Sequence, residues 1–186
     1  YTTRDTLSLH DALPIFQNVL SNVTEQNTER LTPVFDEENP IGATGQMRTW
    51  YTTKPCFPTT KSHISHLVGD SAWEGHAANV FEKRDEVLAY AKNDHLGFQI
   101  YYMWAGSRRR YVPDFLVRLA GGTILALEIK GTDSPQNKAK RDALNECVQA
   151  INAAGSFGRW AWDVAFKPAE VQDIITKHAA VAEPVA

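Results

Sequence analysis

The sequence predicts an α/β fold in which helices cover both faces of a mixed central β-sheet. Short apolar runs rich in β-branched and aromatic residues predict strands, longer runs with helical periodicity predict helices, and the two types alternate along the chain. Their order is α-β-β-β-α-β-α, which fits an α/β/α arrangement. The elements are predicted at 71–92, 98–104, 110–119, 123–130, 134–155, 158–166 and from 168 onward.

The segment before the first helix is not expected to belong to this fold. Residues 1–15 include Asp5–Ile15, which can be back-translated into a common sequencing-library adapter, so we interpret them as a translated artefact. A short helix capped by Ser8 is the alternative. Residues 16–60 predict a linker or the fringe of a missing upstream domain, with a possible edge strand at 47–53. The folded domain is predicted at 61–178 and a disordered tail at 179–186.

The first helical region is predicted from apolar residues at helical spacing. Trp73, Ala77, Val80 and Phe81 form its first half, and a second apolar group continues to Lys92. This pattern predicts one kinked helix or two helices in succession.

Three consecutive arginines follow the strand predicted at 98–104. Arg108, Arg109 and Arg110 are expected at a hairpin turn that leads into the next strand. Since the net charge of the chain is -3, a nucleic-acid partner would have to be held by a local basic patch rather than by overall attraction. The arginines are candidates for this patch, and a solvated turn is the alternative.

A Gly-Gly turn between two apolar runs predicts an antiparallel hairpin over 110–130. If residues 120–122 form the loop, the register places Asp114 directly opposite Glu128 on one face. A two-residue loop would shift the register by one and separate the two carboxylates. The predicted geometry therefore depends on the turn.

Opposed carboxylates destabilise a sheet unless something compensates their charges. A divalent cation would do so, because Mg²⁺ takes one or two carboxylates while it keeps several waters. Lys130 follows Glu128 by two positions and projects from the same face, where its ammonium can hold a water or a phosphate oxygen. The combination predicts a metal-dependent site for phosphodiester hydrolysis, and solvated charges at strand ends are the alternative.

The helix after this hairpin has clear start and stop signals. Ser134 is the expected N-cap, Pro135 lies in the first turn, and Gly155 ends the helix. Its buried face is predicted at Leu144, Cys147, Val148 and Ile151.

Basic residues cluster in the first half of the same helix. Lys140 lies one turn before the buried stripe, at the end nearest Lys130, so it can reach a phosphate in the site. Lys138 and Arg141 on the flank can contact a DNA backbone. The alternative for Lys140 is that it extends past the edge of the core to water.

A final strand and helix complete the predicted domain. Residues 158–166 alternate between apolar and other residues as a strand does. Pro168-Ala169-Glu170 then opens a helix with Val171, Ile174 and Ile175 facing inward.

The motif Val112-Pro113-Asp114, followed by Glu128-Ile129-Lys130-Gly131 and a helix, resembles the PD-(D/E)XK nuclease superfamily. More narrowly, residues 51–175 resemble the C-terminal nuclease region of bacterial helicase-nuclease restriction enzymes, often labelled type III restriction enzyme Res subunit. The segments that carry this closer match are 51–54, 61–64, 92–98 and 158–161. The resemblance implies a restriction-endonuclease-like α/β/α sandwich around a mixed central sheet.

The resemblance also implies DNA cleavage by Mg²⁺-assisted hydrolysis, with Mn²⁺ as a possible substitute. Asp114 and Glu128 would be metal ligands, Lys130 the catalytic lysine, and the backbone carbonyl of Ile129 a further ligand. Glu74 would supply another carboxylate if the first helix packs beside the hairpin, and a solvated helix residue is the alternative.

DNA is therefore the expected partner. The resemblance implies a helicase or ATPase domain upstream on the natural polypeptide, and this sequence itself contains no G-x-x-x-x-G-K-[ST] phosphate loop for ATP hydrolysis. Two other functions stay open. One is a non-catalytic DNA-binding or docking module with the same fold, and the other is a structure-specific resolvase or repair nuclease with the same three residues.

Composition agrees with one globular domain. The chain has 186 residues, of which 43% are hydrophobic and 22% charged. No run of 18 apolar residues and no secretion-signal pattern occurs, so no membrane partner is expected and a cytoplasmic location is predicted. The two cysteines, Cys56 and Cys147, predict neither a disulfide framework nor a zinc site.

Overall fold

The structure, a computed structural model, describes residues 51–180 apart from position 95, together with the backbone of Val23–Glu25 (β1) and Thr28–Arg30 (β2). β1 and β2 form a short antiparallel pair. The predicted artefact at 1–15, most of the predicted linker, and positions 181–186 of the predicted tail lie outside the described residues. Residues 51–53, which the structure describes, form no strand. The prediction of an edge strand at 47–53 is therefore wrong for these three residues.

A two-stranded antiparallel sheet lies before the first helix. It joins Cys56–Pro58 (β3) to His66–Val68 (β4). β3 falls within the stretch predicted as a linker, but its pairing attaches it to the domain. The Phe57 ring also joins β3 to the domain, because it packs against Gly69 and Gly75. A Cβ atom at either glycine would lie within 3.1 Å of the ring.

The first helix, α1, spans Ala72–Lys83 and is followed by a strand, β5, at Val87–Lys92. The prediction of helix throughout 71–92 is therefore wrong in its second half. Leu88 belongs to the second apolar group of the predicted helical pattern, whereas it is 51% exposed. Arg84 adopts an extended backbone that ends the helix, and the β-branched and aromatic residues after it pair with a neighbouring strand instead.

In the described part of the chain, the central sheet has four strands in the order β10-β9-β8-β5. Its other members are Phe115–Leu119 (β8), Thr123–Ile129 (β9) and Arg159–Ala165 (β10). β10 runs parallel to β9 and the remaining pairs are antiparallel, so the predicted mixed sheet is confirmed. β5, rather than the predicted strand at 98–104, occupies the edge beside β8.

Residues 98–104 instead contribute to a separate hairpin of Ile100–Trp104 (β6) and Ser107–Tyr111 (β7). Ala105 and Gly106 connect the strands with φ angles of 49° and 73°, as in the two-residue turn that matches strand twist. Arg108, Arg109 and Arg110 therefore lie along β7 and not at the turn where they were expected.

The β8–β9 hairpin has the predicted register. Phe115 lies opposite Leu127 and Arg118 opposite Ile124, which places Asp114 against Glu128 one step beyond β8. Gly122, with φ at 81°, donates its N–H to the Leu119 carbonyl at 2.9 Å and closes the turn. Only a residue that tolerates positive φ fits this position.

The second helix, α2, spans Pro135–Ala154, and the third, α3, spans Glu170–Ala179. The predicted caps of α2 are confirmed: the Ser134 hydroxyl accepts from the Asn137 N–H, and Gly155 is left-handed. The predicted inward residues of both helices are buried. Ala179, assigned to the tail, belongs to α3. No helix among the described residues is long and apolar enough to cross a bilayer.

Alternate residues of the central strands face two separate cores. Leu125 and Leu127 pack with α1 and α3, whereas Ile124 and Ala126 pack with α2 and the β6–β7 hairpin. Cys147 lies in the second of these cores, as predicted. Over the described residues the result is a mixed α/β architecture with three helices, α1 and α3 on one face of the sheet and α2 on the other.

Candidate active site

Asp114 and Glu128 meet where β8 begins and β9 ends. The backbone holds Asp114 from both sides: the Ile129 N–H donates to its Oδ2 atom at 2.7 Å, and the Asn93 N–H donates to its main-chain carbonyl at 2.8 Å. Lys130 is fixed by the next strand, since its N–H donates to the Ala165 carbonyl at 2.9 Å. The sheet therefore positions the three residues of the predicted motif.

The two carboxylates raise the energy of each other's ionised form. Burial, and then the charge of Glu128, raise the pKa of Asp114 to about 7, and the Ile129 N–H opposes them only in part. Burial also raises the pKa of Glu128, against the stabilising effects of Tyr111, Lys130 and Lys140. Such a pair favours either a shared proton or a bound cation.

Tyr111 is part of the site and was given no role from the sequence. Its hydroxyl donates to Glu128 Oε2 at 2.9 Å, and its side chain is only 3% exposed. Burial, together with the charge of Glu128, raises the pKa of Tyr111 above its ordinary value, so the hydroxyl stays a donor. The sequence signal that could have indicated a role for Tyr111 was its position in the β-rich run before Asp114. Its contact with Glu128 depends on the β6–β7 hairpin, whose strands were predicted to belong to the central sheet.

A small recess, partly open to solvent, lies beside Glu128. Lys130 Nζ is 3.7 Å from Glu128 Oε1, and Lys140 Nζ lies 5.4 Å from the centre of the Tyr111 ring. The structure thus brings Lys140 to the site, as its helical position predicted. The residues around the recess are Tyr111, Glu128, Lys130, Asn137, Lys140, Arg141 and Val164.

The two flanking basic residues of α2 differ in their surroundings. Arg141 borders the recess, but both of its terminal nitrogens bond to the Asp133 carboxylate, at 2.7 and 2.8 Å. Lys138 is exposed and does not line the recess. DNA contact by either residue stays a prediction.

Glu74 lies near the carboxylate pair but is engaged by a lysine. Its carboxylate is 2.9 Å from Lys92 Nζ and accepts the Asp70 N–H at 2.8 Å, and its charge contributes to the raised pKa of Asp114. Glu74 is therefore neither a solvated residue, since its side chain is only 12% exposed, nor a free ligand. Its role in the site stays a prediction.

Lys92 is a buried lysine that was given no role from the sequence. It pairs with Asp70, Glu74 and Asp94 and donates to the Val68 carbonyl at 3.0 Å, with a side chain only 8% exposed. Burial alone would lower the pKa of Lys92, but its carboxylate partners raise it above the ordinary value. Like Lys130, it lies at the end of a buried strand, and this position was the only feature of the sequence that could have indicated a role for it.

The three arginines lie outside the recess. Arg108, Arg109 and Arg110 are all exposed on β7, the strand that ends at Tyr111. They are thus joined to the site through the backbone of β7 and not by a contact with the carboxylates.

The donor set fits a hard divalent cation better than zinc. Among the described residues, no group of three or more His, Cys, Asp or Glu side chains is arranged to hold a metal ion. Asp114 and Glu128 offer two carboxylates, of which Glu128 lines the recess, and Mg²⁺ commonly binds one or two carboxylates and completes its shell with waters. Structural zinc sites require four protein ligands.

Comparison of the chain with family models, with curated proteins and with solved structures gives no match. The function of the site is accordingly inferred from its geometry and chemistry.

Proposed function

We propose that this chain is a metal-dependent DNA endonuclease domain of the PD-(D/E)XK type. The observation that carries the proposal is the pair of partly buried Asp114 and buried Glu128, with Lys130 beside it at the ends of two adjacent strands. A purely structural module gains nothing from two carboxylates whose charges oppose each other in a buried position.

The order of elements also supports a restriction-endonuclease-like fold. Along the chain, the central sheet and its helices follow α1-β5-β8-β9-α2-β10-α3, with the β6–β7 hairpin inserted after β5. The predicted α-β-β-β-α-β-α order is thus kept, although its first strand is β5. In this arrangement the motif residues lie on the second and third strands of the sheet.

The proposed roles follow from the contacts. When bound, Mg²⁺ or Mn²⁺ supplies Lewis-acid activation of a phosphate and of a water. Asp114 and Glu128 would hold the ion, together with the backbone carbonyl of Ile129. Lys130 would donate to the attacking water or to a phosphate oxygen, and its ammonium is already 3.7 Å from Glu128. Tyr111 keeps one oxygen of Glu128 in place.

Lys140 and Glu74 have supporting roles in this proposal. Lys140 borders the recess and adds positive charge where a DNA phosphate would enter. Glu74 forms an ion pair with Lys92, whose ammonium lies 2.9 Å away and balances the carboxylate charge. A helicase domain on the same natural polypeptide, implied by the resemblance to restriction enzymes, would be the partner that delivers DNA.

The test is cleavage of supercoiled DNA in the presence of Mg²⁺ or Mn²⁺. We expect nicking by the wild-type protein and its loss in Asp114→Asn and in Lys130→Ala. Asp85→Asn is a matched control, because Asp85 is an exposed residue in the turn before β5. Nicking that persists in Asp114→Asn would refute the proposal.

An inactive wild-type protein needs a second measurement. Mn²⁺ binding that depends on Asp114 would then indicate a nuclease that requires its helicase. Absence of both cleavage and Asp114-dependent metal binding would favour the DNA-binding or docking module. If cleavage occurs, linear, nicked and branched substrates distinguish a restriction-type enzyme from a resolvase or repair nuclease.

A further inference from the structure

The β6–β7 hairpin is a two-stranded ribbon that stands apart from the central sheet. Its strands pair only with each other among the described residues, and its base lies next to the site because Tyr111, the last residue of β7, bonds to Glu128. The hairpin therefore extends from the rim of the site. A ribbon of this size fits the major groove of duplex DNA.

Strand register divides the three arginines between two faces. In an antiparallel pair, opposed residues share a face, and successive residues alternate. Arg108 lies opposite Met103 and Arg110 opposite Tyr101, whereas Arg109 lies opposite Tyr102. Arg108 and Arg110 thus belong to one face and Arg109 to the other.

The face with Arg109 is the inner one. Tyr102 and Tyr111, which share that face, are buried against α2, and the Tyr102 hydroxyl accepts from Gln136 Nε2 at 2.7 Å. The opposite face, which we call the outer face, carries Tyr101, Met103, Arg108 and Arg110. Met103 is 64% exposed there, so the outer face is open to solvent.

The arginines have no acidic partner within the described residues. None of the ion pairs in that part of the chain involves Arg108, Arg109 or Arg110, although the chain as a whole is acidic. Arg108 instead lies over the Tyr101 ring, 3.8 Å from its centre, which fixes the direction of the guanidinium. A guanidinium group oriented by an aromatic ring, on a face with a second arginine that has no acidic partner in the described part of the chain, suits a polyanion with planar bases.

We propose that the outer face of the β6–β7 hairpin binds duplex DNA beside the cleavage site, with Arg108 and Arg110 as contact residues and Arg109 excluded. The inference rests on the proposed function in that it takes DNA as the substrate. It goes further by assigning the contact to one face of one element. If DNA binding depended only on the total positive charge of the run, all three arginines would contribute equally to the affinity.

Three single variants test the assignment: Arg108→Gln, Arg110→Gln and Arg109→Gln. They remove the same charge from neighbouring exposed positions, so Arg109→Gln is the matched control. Binding of a fluorescent DNA duplex is measured by anisotropy in EDTA over a range of salt, where neither metal nor cleavage contributes. We expect about a tenfold or larger loss of affinity for Arg108→Gln and Arg110→Gln, and less than about a threefold loss for Arg109→Gln.

Salt dependence provides a second expected result. Each lost phosphate contact lowers the slope of log affinity against log salt by about 0.9, so Arg108→Gln and Arg110→Gln reduce the slope and Arg109→Gln does not. Equal losses in all three variants would overturn the face assignment, and unchanged binding in all three would overturn the surface itself. Equal arginine-dependent binding of single-stranded RNA would overturn the choice of duplex DNA.

Failure of this inference and failure of the proposed function give different results. If the protein nicks DNA in an Asp114-dependent way but binds DNA independently of Arg108 and Arg110, only the hairpin assignment is wrong. If it binds DNA through these two arginines but neither cleaves nor binds metal, the hairpin assignment stands and the nuclease proposal is wrong. Unchanged thermal unfolding of the three variants shows that the binding losses are not caused by misfolding.

Discussion

Replacement of Asp114 by asparagine is expected to stabilise the metal-free protein while it removes the proposed activity. Asparagine has nearly the same shape, and its side-chain oxygen can still accept the Ile129 N–H that Asp114 accepts at 2.7 Å. What it lacks is the negative charge opposite Glu128. The substitution therefore isolates the cost of the buried carboxylate pair.

The magnitude follows from the pKa of Asp114. In the unfolded chain this carboxyl ionises near 3.8, whereas burial and the charge of Glu128 raise the folded-state pKa to about 7. Each tenfold difference in proton affinity corresponds to about 1.4 kcal/mol, so the ionised group costs the folded state up to about 4 kcal/mol. Because Glu128 ionises more readily once its neighbour is neutral, and because a buried amide has its own desolvation cost, we expect a gain of about 2 kcal/mol.

The gain should depend on pH in a defined direction. Below pH 3.8 Asp114 is protonated in both folded and unfolded chains, and its charge has no effect on stability. As the pH rises from there to about 7, the unfolded chain loses its proton first and the wild-type protein loses stability relative to the variant. Above about pH 7 the difference is constant.

Urea unfolding followed by tryptophan fluorescence measures this difference, at about pH 4 and about pH 8 in EDTA. Asp85→Asn, an exposed position, should show no comparable gain. Addition of Mn²⁺ at the higher pH should stabilise the wild-type protein and not Asp114→Asn, because the ion binds the folded carboxylate pair. A variant that is less stable than wild type at both pH values would refute the argument that the two carboxylates repel each other.

Three further substitutions give separate expectations. Tyr111→Phe removes the donor to Glu128 and should lower the free energy of unfolding by about 2 kcal/mol at about pH 8, with a smaller loss as the pH falls and Glu128, whose pKa burial raises, takes up a proton, as urea unfolding can measure. Lys92→Met leaves buried Glu74 without its cation and should cost about 3 kcal/mol in urea unfolding, a loss that titration to low pH should reduce. Gly122→Ala places a Cβ in open space at φ 81°, so the expected cost of about 1–2 kcal/mol in thermal unfolding is one of backbone strain, and Gly121→Ala, without positive φ, should be close to neutral.

Local signals were sufficient to predict the motif and its geometry. The register that opposes Asp114 and Glu128 follows from the turn and from the alternation of side chains, both of which are encoded within a few residues. The caps of α2 were predictable for the same reason, because Ser134 and Gly155 satisfy backbone groups of their own helix.

Non-local pairing decided the parts that the sequence did not predict. Val87–Lys92 has apolar residues that fit a helical as well as a strand period, and its pairing with β8 selects the strand. Tyr111 and Lys92 acquire their roles only from partners far along the chain, Glu128 in one case and Asp70 and Glu74 in the other. No spacing rule connects such residues.

The closeness of Asp114, Glu128 and Lys130 along the chain has a consequence for folding. All three belong to one hairpin closed by a short turn, so the pairing of the two carboxylates has a low contact order and can form with that turn, before the longer-range bonds to Asn93 and Ala165. The repulsion between the carboxylates then opposes an early step of folding. A divalent cation, or protonation of one carboxylate at lower pH, should consequently increase the refolding rate. The two carboxylates proposed to bind the metal would then also limit how fast the chain folds.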